Sequence, residues 1–178
     1  MKLFIATDVH GSAYWAERIV EEFKRANCDM LILLGDVYNH GPRNPFPRDY
    51  APMRVAEVFN QIADKVIAVK GNCDSEVDQM ISDFPFVQQE IIPQKNRLLY
   101  FTHGHVYNKN NLPRVSAGDV LFYGHFHQNE ISVVDGVTCV NVSSAALPKD
   151  KSSYCIVDDA AVILYDFDGK VILQKTFA

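Results

Sequence analysis

Five short apolar runs in this chain end in the same way, and that shared ending constrains the fold more than any other feature. Leu3–Thr7 leads into Asp8-Val9-His10-Gly11, Met30–Leu34 into Gly35-Asp36, and Val66–Val69 into Lys70-Gly71-Asn72. Two later runs, Arg97–Thr102 and Val120–Tyr123, lead into His103-Gly104-His105 and Gly124-His125-Phe126-His127. Each junction sets a glycine beside an Asp, Asn or His. In an open α/β sheet, ligands bind beyond the carboxyl ends of the strands. Glycine there lets the backbone turn sharply and come close to a bound group. A fold that lays these strands side by side therefore brings five such junctions to one site.

The rest of the pattern fills in around those strands. Ala13–Ala26 reads as an amphipathic helix with Ala16, Ile19, Val20 and Phe23 on one face, and Val55–Ile62 lies in a second. Ser75-Glu76-Val77-Asp78 fits a capping box that opens a short helix. This half predicts βαβ units around a buried sheet. From about Ile91 onward the chain turns mostly to strand: Ile131–Val134, Thr138–Val142, Tyr154–Val157, Ala161–Phe167 and Val171–Phe177, with hairpin turns at Asp135-Gly136 and Asp168-Gly169. Two packed sheets with helices outside are the expected result. Tyr38–Pro52 holds four prolines and no periodicity, so it reads as a stiff loop inserted after the second strand. A length of 178 residues fits one domain, 1–178, without an accessory domain.

Composition removes several classes of function. The net charge is −5 and no basic stripe exists, which argues against a long nucleic acid as partner. A small anion held through metal ions is compatible with that charge. No apolar run approaches the roughly 18 residues that span a bilayer, and the N-terminus has no secretory pattern, so no membrane partner is expected. Cys28, Cys73, Cys139 and Cys155 form no CxxC pair, which fits reduced thiols in a cytoplasm.

The junction residues point to metal chemistry. Asp and His ligate hard-to-borderline divalent ions, and Asn offers its carbonyl. In an extended segment, residues i and i+2 point the same way, so Asp8 and His10 are expected to share one ion, and His125 and His127 to serve a pair. With no thiolate in the set, manganese, iron or zinc is favoured. Two metals about 3.5–4 Å apart form a clamp for in-line displacement at phosphorus. Singly, each residue has a plainer reading: Asp8 as a helix cap, Asp36 as a turn residue, Asn72 in a left-handed turn, His103 as a structural histidine. Together, four histidines, His10, His103, His125 and His127, and both aspartates sit at glycine-flanked junctions, and the plain readings no longer suffice.

In chain order, D-x-H (Asp8, His10), G-D (Gly35-Asp36), G-N (Gly71-Asn72), H-G (His103-Gly104) and G-H-x-H (Gly124 to His127) resemble the motifs of the calcineurin-like metallophosphoesterase superfamily. GDVYNHGPRN and GNCDSEVDQM further resemble its small bacterial phosphodiesterases. The resemblance implies a four-layer α/β/β/α sandwich of two mixed β-sheets flanked by helices. It implies two divalent metal ions, Mn²⁺ first, with Zn²⁺, Fe²⁺, Ni²⁺ or Co²⁺ as alternatives. Asp8, His10, Asp36 and His127 would hold one ion and Asp36, Asn72, His103 and His125 the other, with Asp36 bridging. A metal-bridging hydroxide would attack a small phosphodiester, with Asp36, Asn72 and His103 acting through that activated water. A phosphomonoesterase is the alternative within the same chemistry. A retromer subunit with this fold serves as a protein-interaction scaffold after losing part of the ligand set. Here all seven positions hold competent ligands, which favours catalysis.

The chain departs from the family pattern at three places. Cys73 stands where many members have His in a GNHE-like motif, proposed there as the leaving-group acid; that favours acidic leaving groups, or protonation by His105, His40 or water. Asn141-Val142-Ser143-Ser144 stands where relatives read NPGS, and Phe126 replaces a small polar residue. On the substrate side, Arg43, Asn72 and Cys73 are the candidates, and Arg43 is favoured over Arg48 for holding a phosphate bidentately. Phe46, Tyr50 and Phe84 would support a homo-oligomer, or pack inside the monomer.

Overall fold

The computed structural model describes residues 1–177. Along the chain run β1 (Leu3–Ala6), α1 (Ala13–Ala26), β2 (Met30–Leu33), α2 (Pro52–Asn60), β3 (Val66–Val69), α3 (Glu76–Met80), β4 (Phe86–Val87), β5 (Glu90–Gln94), β6 (Arg97–Phe101), β7 (Val120–Tyr123), β8 (Glu130–Val134), β9 (Val137–Asn141), β10 (Ser153–Val157), β11 (Ala161–Asp166) and β12 (Val171–Thr176). They form a seven-stranded sheet, ordered β12-β11-β10-β1-β2-β3-β4, and a five-stranded sheet, ordered β5-β6-β7-β9-β8. Both sheets are mixed. β1 through β4 run parallel, and β10 joins β1 antiparallel. In the second sheet β6, β7 and β9 run parallel between antiparallel edges.

Strands β1, β2 and β3 at the centre of the first sheet are buried on both faces, so their sequences are continuously apolar rather than alternating. Leu3 and Ile5 of β1 face the second sheet, packed with Ile32, Leu34, Leu99, Phe101 and Phe122. Phe4 and Ala6 face the other way, into a core with Ala16, Ile19 and Phe23 of α1 and Val55 and Phe59 of α2. Each large side chain removed from water in these layers contributes about 1.5–3 kcal/mol. Helix α1 starts where the Ser12 hydroxyl accepts from the Trp15 N–H, and ends where Asn27 turns left-handed at φ 50°. Pro52 opens α2, where its missing N–H costs nothing. The Ser75 N–H donates to the Asp78 carboxylate at 2.7 Å, in the expected capping box.

The two mixed sheets are flanked by helices, as expected, and the helices are unevenly distributed. All three described α-helices belong to the first half of the chain, and α1 and α2 pack on the seven-stranded sheet. The outer face of the five-stranded sheet is covered instead by irregular chain, with Leu112 and Val115 packed against Tyr100, Leu121, Tyr123 and Cys139. That segment carries Asn108, Asn110, Asn111, Pro113 and Gly118, a composition that favours turns over helix. Strands β4 and β5 were not visible as separate elements in the sequence, because one is two residues long and the other contains Pro93 at a sheet edge. Phe84 is core, 1% exposed, whereas Phe46 is 68% exposed; only the second is available to another molecule.

The carboxyl ends of β1, β2 and β3 meet those of β6 and β7. The β1–β2 ladder continues past the strands: Asp8 N–H donates to Gly35 O (3.0 Å) and His10 N–H to Asp36 O (2.8 Å). In the second sheet Gly124 N–H donates to His103 O (2.8 Å). Two glycines permit contact that no side chain could, Gly71 between neighbouring junctions of the first sheet and Gly124 between the two sheets. A Cβ on Gly71 would lie 2.2 Å from Asp36 Oδ1, and one on Gly124 would lie 2.1 Å from Thr7 Oγ1 and 2.6 Å from Asp8 Oδ2. Gly124→Ala should therefore lower the thermal midpoint, with a loss of about 1–3 kcal/mol from overpacking, and displace Asp8. An unchanged midpoint in a thermal melt would contradict this packing.

Candidate metal centre

The sequence predicted that Asp8 and His10 align because they sit in extended chain. The structure brings them together differently. Asp8 (φ 53°), His10 (φ 51°), Asp36 (φ 52°), His125 (φ 65°) and His127 (φ 58°) all adopt left-handed backbone. Such conformations are uncommon for non-glycine residues and cost of order 1–3 kcal/mol when held against preference. Each junction thus curls back on itself at the end of its strand, and the curl aims the side chain inward.

The result is two groups of donor atoms that share an edge. In the first, Asp8 Oδ1 lies 3.1 Å from His127 Nε2 and 3.5 Å from His10 Nε2, and the two imidazole nitrogens are 3.4 Å apart. In the second, His103 Nε2 lies 3.4 Å from Asp36 Oδ2, 3.0 Å from Asn72 Oδ1 and 3.3 Å from His125 Nδ1. Asp36 Oδ2 also stands 4.0 Å from His10 Nε2, between the groups.

The opposite atoms of these side chains are already engaged. Nδ1 of His10, His103 and His127 faces the backbone carbonyls of Asn39 (2.8 Å), Leu34 (2.7 Å) and Leu147 (2.6 Å). A carbonyl only accepts, so each Nδ1 carries a proton and donates it. In the neutral ring, Nε2 then presents a lone pair to the centre. Asp8 Oδ2 accepts from the Thr7 hydroxyl (2.6 Å) and the His125 N–H (3.0 Å), leaving Oδ1 free. Asp36 Oδ1 accepts from the Cys73 N–H (2.8 Å), leaving Oδ2 free.

Lone pairs converging at these separations repel unless positive charge lies among them. Buried carboxylates impose the same demand. Burial pushes the Asp8 carboxyl up, but hydrogen bonds from His10 and His127 outweigh it and hold Asp8 well below the usual carboxylate range. Burial likewise opposes the lowering of Asp36 by His103. The carboxylates in turn raise His10 against the effect of burial, and push His103 up to about 9. Burial and the neighbouring His103 charge lower His125. The cluster therefore gathers positive charge wherever it can. Metal–ligand bonds of about 2.0–2.2 Å place neighbouring donors about 3.0–3.5 Å apart, the spacing found in both groups. The residues fit divalent ions.

Sequence reasoning missed the supports of this cluster. Asp74 is buried, and its carboxylate accepts from the N–H groups of Asp36 (2.7 Å), Val37 (2.9 Å) and Gly71 (2.8 Å), locking two junctions together. Burial, together with the Asp36 charge, pushes Asp74 up to about 6 despite those donors. Ser144, in the segment that departs from NPGS, donates from its hydroxyl to Asp8 O (2.7 Å) and accepts from the N–H of Leu147 (2.8 Å). That bond fixes the residue whose carbonyl orients His127. Only the family comparison of this segment gave any signal for it.

The cluster forms the floor of a cleft of about 730 Å³, lined also by Arg43, Asn39, Asn44, Cys73, Phe126 and Lys149. Arg43 thus reaches the cleft, whereas Arg48 lies over the Tyr14 ring, 3.6 Å from its centroid. Neither His105 nor His40 lines it: His105 sits exposed beside the His103 ring (5.3 Å), and His40 packs against Phe46 (4.4 Å). Burial and then the Asp36 charge push the Cys73 thiol up to about 12. Lys149 was not among the residues singled out in the sequence.

Fold and site together define a metallophosphoesterase. Residues 1–161 match the family model described as the calcineurin-like phosphoesterase superfamily domain. The chain is 44% identical to phosphodiesterase YfcE of Escherichia coli K12, over 98% of this chain and 97% of the relative. The solved structure of the E. coli YfcE phosphoesterase superposes with a TM-score of 0.96 at 40% identity, covering 100% of both chains. A zinc complex of Vps29 from Entamoeba histolytica shares the fold, with a TM-score of 0.63, 18% identity and full coverage of both chains. The chain belongs to the calcineurin-like phosphoesterase superfamily and is a hydrolase of phosphoric esters. Membership implies divalent metal ions, and Asp8–His10–His127, His10–Asp36–Cys73 and Asp8–Asp36–His103 are the carboxylate, imidazole and thiol groups close enough to hold them.

Ser144→Ala should destabilise the fold by about 1–3 kcal/mol, through the stranded N–H groups, and weaken metal binding about 10–100-fold. Thermal melts and competition against a chelator measure the two effects separately. Metal affinity equal to the parent's would show that the 145–149 segment does not orient His127.

Proposed function

We propose that this chain is a phosphodiesterase acting on small phosphodiesters at a dinuclear metal centre built on a single catalytic domain, residues 1–178. One observation carries the reading: seven side chains converge, and five of them, His10, His103, His127, Asp8 and Asp36, turn one donor atom inward while the other is tied to backbone or hydroxyl groups. Asp8, His10 and His127, with Asp36, would hold one ion. Asn72, His103 and His125, with Asp36, would hold the second, and manganese suits this nitrogen and oxygen set. Bound there, the ions supply an acidified water as nucleophile and neutralise the non-bridging phosphate oxygens.

The chain's own residues do the rest. Asp36 Oδ2 couples the two donor groups, and the Cys73 N–H fixes its orientation. Asn72 is exposed, with Oδ1 toward His103 and its amide N–H toward Cys73 Sγ (3.3 Å), so it borders both the cluster and the cleft. Arg43 lines the cleft and offers a guanidinium to an anionic group of the substrate. With neither His105 nor His40 in the cleft, the leaving group departs as an acidic alkoxide or phenolate, or takes its proton from water. The relative's name, phosphodiesterase, supports the diester over a monoester. The complete ligand set supports catalysis over a scaffold. Four free cysteines support a reducing, cytoplasmic setting.

Metal-stripped protein should hydrolyse bis-p-nitrophenyl phosphate only after Mn²⁺ is restored, and faster than p-nitrophenyl phosphate. A faster monoester rate would make the chain a phosphomonoesterase; no turnover of either with two ions bound would favour a scaffold. Asp36→Asn should cost on the order of a thousandfold in kcat/KM and loosen both ions, because the amide is a weaker bridge. Near-normal turnover in that variant would rule out the dinuclear reading. Cys73→Ala should cost far less than His125→Ala in the same assay; equal losses would make the thiol catalytic.

A further inference from the structure

Several cations of this acidic chain pair with acids: Arg54 with Glu17 and Asp49, Lys70 with Glu76, Lys109 with Glu130 and Lys151 with Asp166. Arg43 and Lys149 have no acidic group within ion-pair distance among the described residues, and what sets them apart from other cations is their position. Both line the cleft. Its one acidic lining residue, Asp36, belongs to the donor cluster on the floor. Beyond that cluster the cleft therefore presents two cations, the carboxamides of Asn39 and Asn44, and no carboxylate, in a protein of net charge −5.

The two cations reach the cleft from separate segments, and each segment is anchored to the cluster. Arg43 lies on the 38–51 loop, where Asn39 O accepts from His10 Nδ1 and the Asn39 side chain accepts from the Gly41 N–H (2.8 Å). Lys149 donates its backbone N–H to His127 O (2.9 Å). Neither anchor engages the charged head group, so both remain free to meet a ligand. The scissile phosphate of a diester carries one negative charge, and the donor cluster would match it through bound ions. Two further cations and two amide groups then match an anion that is not the reacting group.

We propose that Arg43 and Lys149 form a specificity subsite for a second anionic group on the substrate, so that preferred substrates are phosphodiesters bearing an additional phosphate or carboxylate. The inference rests on the phosphodiesterase reading above. Its physical basis is charge matching in a concave site, where walls of low dielectric focus the field and water screens less than on an open surface. Lys149 would contribute as a point charge and Arg43 as a planar fork.

The test uses Mn²⁺-loaded protein and two diesters, thymidine 5′-(p-nitrophenyl phosphate) and its 3′-phosphorylated form. Water adds to the 5′ phosphorus, the bond to p-nitrophenolate breaks, and the released phenolate reports only diester cleavage. The expected preference in kcat/KM for the 3′-phosphorylated ester is about tenfold or more, expressed mainly in KM. Lys149→Ala and Arg43→Ala should each pull that ratio toward one, Lys149→Arg should retain it, and added salt should erode it. A ratio near one in the parent protein, or a ratio that survives both alanine variants, overturns the subsite while bis-p-nitrophenyl phosphate turnover still supports the diesterase. Loss of turnover on bis-p-nitrophenyl phosphate as well overturns the diesterase reading and the subsite with it.

Discussion

Two carboxylates, Asp8 and Asp36, are almost fully removed from water at the meeting point of two sheets, and the rest of the structure answers to them. Uncompensated, such charges cost several kcal/mol each. The chain meets that cost by surrounding them with imidazoles and with N–H and O–H donors. Thr7 and the His125 N–H hold Asp8, and the Cys73 N–H holds Asp36. Each donor engages one carboxylate oxygen and leaves the other facing the centre. Stability and function are therefore coupled: the same hydrogen bonds that make burial tolerable also orient the free lone pairs.

That arrangement depends on backbone as much as on side chains. Five of the converging residues hold left-handed conformations, a local cost met by tertiary contacts. Asp74 shows how. It is neither in the cleft nor among the donors facing the centre, yet its carboxylate binds the backbone of the second and third junctions at once. Ser144 does the same between Asp8 and the segment that orients His127. Gly124 lets the two sheet edges approach, and Gly71 lets the second and third junctions approach, within distances that a methyl group would block.

The cleft above the cluster has a different character. Its floor concentrates ligands for cations, whereas its walls carry cations and amides. The 38–51 loop supplies much of this contrast; its C-terminal end is pinned by Ala13 and Ala51 backbone bonds to Asp49 O and Gly11 O (2.9 and 2.8 Å), and the residue before it by the Gly11 N–H bond to Val37 O (2.8 Å). A stiff loop that begins two residues after Asp36 is well placed to control what reaches the ions. Its prolines, legible in the sequence as stiffness, here serve to hold Arg43 over the cleft while Arg48 turns away onto Tyr14.

The residues of the cluster were legible without coordinates, because metal chemistry restricts ligands to a few side chains and the strand ends mark where they stand. The strands other than β4 and β5, and α1, were legible too, since regular burial writes a regular apolar pattern. What needed the tertiary structure was everything that depends on distance across the chain. The extended i, i+2 geometry expected for Asp8 and His10 gave way to left-handed turns, because backbone bonds to β2 fix those residues. The uneven placing of the helices also needed the tertiary structure: residues 104–119, rich in Asn, Pro and Gly, cover the five-stranded sheet as irregular chain and pack Leu112 and Val115 against it. Asp74, Ser144 and Lys149 carry no local signature: a carboxylate, a hydroxyl and an ammonium are common on any surface. Only the approach of the two sheet edges decides that the first two are buried supports and that the third faces the cleft.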